Sequence, residues 1–103
     1  MHVPAIDTPM IEVTRKTATD PLAFEVVIRE GSGESRHHVT MTRLMCDRLA
    51  GSARTPESCV EAAFRFLLDR EPKESILARF DVSVISRYFP EFERELPRYL
   101  GTV

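Results

Sequence analysis

The chain has no tryptophan, only two cysteines and four glycines, and no long apolar run, and each shortage removes a class of protein. A helix that crosses a bilayer needs roughly 20 consecutive apolar residues. No stretch of the 103 residues approaches that, and residues 1–10 carry neither a basic leader nor an apolar signal core, so the expectation is a cytoplasmic protein with no membrane partner. Cys46 and Cys59 belong to no CxxC pair, which leaves disulfide and zinc frameworks without support; both thiols read as small buried hydrophobes. The Gly31-Ser32-Gly33 stretch has too few glycines and no lysine at the spacing of a phosphate cradle, so it reads as a hairpin turn. There is no GxSxG elbow and no internal repeat. No metal, no cofactor and no catalytic residue is expected.

What is present is the balance of one globular domain, 43% hydrophobic against 29% charged, and a domain of this length buries enough surface to fold without staples. The net charge of −2 argues against coating nucleic acid by bulk charge, but the charge is uneven. Residues 36–56 hold Arg36, Arg43, Arg48 and Arg54 against Asp47 alone, a basic island in an otherwise acidic chain. Arginine outnumbers lysine twelve to two, a bias read mainly as codon usage.

Residues 1–9, with Pro4 and Pro9, read as a loose N-terminal arm ahead of a single α+β domain over residues 10–103. Alternating apolar and polar positions predict strands over Met10–Lys16, Ala23–Glu30 and Arg36–Thr42, a three-stranded antiparallel meander. Val27, on the nominally wet face, implies partial cover. Leu44, Met45, Arg48 and Leu49 then suit a short helix ending at Gly51-Ser52. Thr55-Pro56-Glu57 is a helix start in which Thr caps, Pro loses no donor at the first position, and Glu faces the positive end of the dipole. Val60, Ala63, Phe64, Leu67 and Leu68 form one apolar stripe of a long amphipathic helix running to Arg70, and Pro72 ends it. Beyond it the spacing predicts a short helix around Ile76, Leu77 and Phe80, an Asp81-capped helix over Val82–Phe89, and kinked helical turns between Pro90 and Pro97.

His37 and His38 are adjacent on a predicted strand, so they point to opposite faces and cannot both bind one ion. A nucleophilic site pairing either histidine with Cys46 or Cys59 would need a tertiary coincidence. Glu91, Glu93 and Glu95 beside Arg94 and Arg98 read as a solvated charged surface. The aromatics Phe80, Tyr88, Phe89, Phe92 and Tyr99 crowd the last quarter of the chain. They read first as a lid on the core and second as an apolar patch for a protein partner, with Tyr88, Phe92, Arg94 and Tyr99 as the candidate contact residues.

Two resemblances add to this reading. From Arg36 to Arg70 the order of basic strand, short helix, Gly-Ser loop and capped helix resembles the ribbon-helix-helix DNA-binding family, in which strands paired across a dimer enter the major groove. The resemblance implies Arg36, His38, Thr40 and Thr42 facing bases, with Arg43 and Arg48 as further nucleic-acid contacts. Leu44–Ala50 is shorter than that family's first helix, and the strand is expected to pair already with Ala23–Glu30. Separately, the pattern Arg70-Glu-Pro-Lys-Glu-Ser75, Phe80-Asp81 and Val84-Ile-Ser-Arg-Tyr-Phe-Pro-Glu-Phe-Glu93 resembles a group of small hypothetical bacterial proteins of unknown function; it transfers no catalytic or binding residue. The reading favoured by the residues is a non-enzymatic binding or regulatory module acting on a protein partner. The alternatives are a dimeric DNA binder using residues 36–70 and an enzyme whose site is assembled from isolated side chains.

Overall fold

In the computed structural model the chain is described over residues 9–17, 19–51 and 54–100. Apart from Pro9, the expected N-terminal arm lies outside the described residues. The order is β1 (Met10–Arg15), β2 (Leu22–Glu30), β3 (Gly33–Met41), α1 (Arg43–Ala50), α2 (Pro56–Leu68), a 3-10 turn at Lys73–Ser75, β4 (Arg79–Asp81), a second 3-10 turn at Val82–Val84, α3 (Ile85–Tyr88) and α4 (Phe92–Leu100). The fold is α+β: a four-stranded mixed sheet, ordered β1-β2-β3-β4, covered by helices on one face.

The three alternating segments form strands because period-2 apolar positions give each a face to bury. Leu22, Phe24, Val26 and Ile28 from β2 and Val39 and Met41 from β3 are almost wholly buried, and they share one core with Cys59, Val60, Ala63, Phe64 and Leu67 of α2. The β2–β3 hairpin closes through Gly31 and Ser32, with Glu30 opposite Gly33. Gly31 has φ +61° at the first central position, where a two-residue turn of the II′ kind needs glycine. Val27 is buried on the outer face, in register between Glu12 and Arg36, whose long side chains flank it.

The expected three-stranded meander is incomplete. Arg79–Asp81, read from their spacing as the end of a short helix at Phe80 and the cap of the next at Asp81, form β4, which runs parallel to β3 with Val39 opposite Phe80. Three residues carry no period of their own. What makes them a strand is the open edge of β3, whose His38 N–H bonds to Ala78 O at 2.7 Å, and that edge lies about forty positions away in sequence. The turn before β4 is 3-10, and Asp81 caps the next 3-10 turn by accepting the Ser83 N–H at 3.0 Å.

The helix α2 starts as its sequence dictates, with Thr55 Oγ1 accepting the Ser58 N–H at 3.0 Å and Pro56 in the first turn. It lies between the sheet and α4, which is why both Phe64 and Phe66 are fully buried. Phe64 faces His37 and Phe80; Phe66 meets Phe89, Phe92 and Tyr99 edge-on, with ring centroids 5.0–5.9 Å apart. The tail is one helix rather than separate turns, with Pro97 inside α4. Phe92 and Leu96 lie four apart on its inner face, so their burial holds the helix over the single backbone bond that Pro97 cannot make.

Candidate functional site

Large apolar side chains are exposed at four described positions: Met10, Leu44, Leu77 and Tyr88. The first two stand apart. Leu77, 49% exposed, and Tyr88, 66% exposed, both line one cleft of about 400 Å3 between the C-terminal end of α2 and α3. This size falls within the roughly 300–1,000 Å3 of ligand-binding clefts. Leu67 comes from α2 and Glu71 from the turn after it; Ser75 ends the first 3-10 turn and Ile76 and Leu77 follow it; Phe80 comes from β4, and Val84, Ile85, Tyr88 and Phe89 from the segment around α3.

The cleft is apolar except for Glu71, Ser75 and the Tyr88 hydroxyl, and Glu71 sets its electrostatics. Burial among these side chains pushes the Glu71 carboxyl above the usual carboxylate range. No hydrogen bond or ion pair reaches that carboxylate among the described residues. Its neighbours in sequence are committed elsewhere. Arg70 donates to Glu91 at 3.0 Å, to Phe66 O at 3.3 Å and to the Tyr99 hydroxyl at 3.4 Å, with its guanidinium 3.7 Å above the Phe66 ring. Lys73 reaches Glu74 at 2.8 Å and Glu30 at 3.9 Å. Sequence reasoning passed over Glu71, although a signal exists: it lies four residues after Leu67 and seven after Phe64, so it continues the apolar stripe of α2 with a charge.

The four aromatic-tail candidates separate in space. Tyr88 is on the cleft rim and Arg94 is exposed on α4, where it approaches Glu95 at 3.8 Å. Phe92 is 1% exposed against Phe66 and has no surface to offer. Tyr99 donates to Asp69 at 2.6 Å and accepts from Arg70, clamping α4 to the end of α2. Phe92, Leu96 and Tyr99 recur at i, i+4 and i+7, so they share the inward face.

The candidate nucleic-acid residues divide between two surfaces. Arg36 and His38 point outward from β3, and Arg36 is held by Glu25 and Glu34, each at 3.1 Å. Thr40 donates to Asp81 at 2.6 Å, and Thr42 caps α1 by accepting the Met45 N–H. Arg43 opens α1 with its backbone N–H on Asp20, and Arg48 pairs with Glu93 at 2.7 Å. One edge of β3 is paired to β2 throughout, and β4 covers the other edge at His38–Thr40, so a two-chain ribbon could not form along the half of the strand that leads to α1.

Three of the four histidine and cysteine side chains singled out in the sequence, His37, Cys46 and Cys59, are buried. His37 is buried and spends both ring nitrogens: Nδ1 donates to Leu77 O at 2.8 Å, since a carbonyl only accepts, and Nε2 is hydrogen-bonded with the Ser35 hydroxyl at 2.9 Å. His38 is on the opposite, exposed face. Burial pushes the Cys59 thiol up to about 12, its sulfur resting 3.9 Å from Met41 Sδ, and burial likewise raises Cys46. Among the described residues no three His, Cys, Asp or Glu side chains gather in a group that could hold a metal ion, and no helix is long and apolar enough to cross a membrane. No protein-family model, no curated protein and no solved structure matches the chain.

Proposed function

We propose that this chain is a non-enzymatic protein-binding module that docks its partner over the cleft between α2 and α3. The observation that carries the reading is the pairing of Leu77 and Tyr88, two large side chains left in water at the mouth of an apolar cleft. Covering such surface supplies roughly 25 cal/mol for each Å2 removed from water, and tyrosine is favoured at the energetic centres of interfaces. A photoreactive residue placed at position 88 is expected to cross-link a discrete partner, while the same residue at exposed position 94 does not. The purified partner should then lose at least tenfold in affinity for the Leu77→Ala, Tyr88→Ala double variant. Equal cross-linking from positions 88 and 94, or unchanged affinity of that folded variant, would remove the cleft as the docking surface.

A further inference from the structure

Among the acidic residues described, only Asp47 and Glu71 have a carboxylate with no hydrogen bond or ion pair, and Asp47 stands in open solvent. Glu71 is half-buried against apolar side chains. A carboxylate held there is poorly hydrated, and a cation entering the cleft would meet it where water screens least. Neither adjacent cation can serve: Arg70 is locked onto Glu91, Tyr99 and the Phe66 ring, and Lys73 onto Glu74 and Glu30. Arg87 of α3 does not line the cleft. A cation for Glu71 would therefore come from outside the described fold. The rim of the same cleft carries Tyr88, which is 66% exposed. A small amine seated at Glu71 would leave that ring wet, whereas an extended segment covers both.

We infer that the cleft receives a partner polypeptide segment presenting one lysine or arginine between apolar side chains, the cation on Glu71 and the apolar residues against Leu77, Tyr88 and Phe80. The inference rests on the docking function proposed above and adds the chemistry of the occupant. The charge gives orientation and selectivity, and the rim gives most of the affinity.

The test is selection of a random 12-residue phage-displayed peptide library on the immobilised full chain, followed by titration of the enriched sequences as synthetic peptides. Parent protein should enrich a basic residue flanked by apolar ones. Glu71→Gln should lose the basic preference while keeping the apolar one, and should bind the parent's peptides about tenfold more weakly, the worth of one charge-assisted hydrogen bond. Glu71→Lys should invert the preference to an acidic residue. Tyr88→Ala should abolish enrichment of this class. Apolar peptides without a basic position, or the same basic motif selected by Glu71→Gln, would overturn the proposed occupant and leave the docking surface standing. Peptides indifferent to Tyr88→Ala and Leu77→Ala would overturn both. A dimer of the chain alone that dissolves on Tyr88→Ala, seen by sedimentation, would replace the foreign segment with a second copy.

Discussion

The outer face of the sheet and the cleft at its far end handle charge in opposite ways. On the outer face Arg29 bridges Glu12 at 2.8 Å and Glu34 at 3.3 Å, Arg36 bridges Glu34 and Glu25, and Lys16 joins Glu25 at 3.7 Å. Charges lie beside charges in open water, and the lattice of pairs leaves little for a polyanion to take. In the cleft a single carboxylate stands among hydrocarbons with no counter-charge. Many compensated charges make a soluble surface, whereas one uncompensated charge in an apolar setting makes a place where something is missing.

Substitutions on the two surfaces test that contrast. The largest effect belongs to Phe66→Ala, which removes the ring that Phe89, Phe92, Tyr99 and Arg70 all contact. It should cost about 3–5 kcal/mol in denaturant unfolding and loosen Phe89, which packs on Phe66 and lines the cleft. Asp81→Asn comes next, since this carboxylate links the outer face to the entry of α3 through Thr40 and Ser83. Burial alone would push this carboxyl up, but the bonds from Thr40 and Ser83 outweigh that and hold it below the usual carboxylate range. Stability from a depressed carboxyl is present above the unfolded value, near 3.9, and fades as pH falls through the folded one. The variant should lose about 1 kcal/mol at pH 7, with the deficit closing below about pH 4 in paired thermal melts.

Glu71→Gln should have a smaller effect of opposite sign. A raised carboxyl favours the fold fully below its unfolded value, near 4.3, and loses that contribution as pH rises through the folded value. The variant should therefore melt about 1–2 °C higher at pH 7 and match the parent below about pH 4; a lower melting point at pH 7 would mean that Glu71 has a partner after all. Smallest is Arg36→Ala, one member of an exposed lattice, expected to shift stability by less than about 0.5 kcal/mol. A shift several times larger in urea titration would show that the outer face is not the self-compensating surface described.

Much of this architecture was legible in the residues. Thr55, Pro56 and the stripe from Val60 to Leu68 announce α2 because a cap and a period are local properties, and Met10, Leu22 and Gly33 each begin a strand within three residues of its expected start. The fourth strand was not legible, because Arg79–Asp81 pair only through the edge of β3. The tail was half legible. Its aromatics were visible as a cluster, but Phe92 and Tyr99 turn inward with Leu96, while Tyr88 sits on a different helix and turns outward. Glu71 was readable as a charge on an apolar stripe, yet its isolation depends on Arg70 and Lys73 finding partners that only the folded chain brings near.

The slender attachment of β4 also has a consequence in time. One wall of the cleft hangs from three residues paired to β3, with the His38 N–H bond to Ala78 O at their leading edge, whereas β2 is paired to β3 along its whole length and to β1 over Phe24–Arg29. A segment so attached can swing away without melting the helix beneath it, so its opening free energy is a fraction of the global one. Hydrogen exchange should show the His38 amide opening well before those of Val26 and Ile28, and a bound segment should slow it. The mouth of the cleft would then keep its own clock, faster than the domain that carries it.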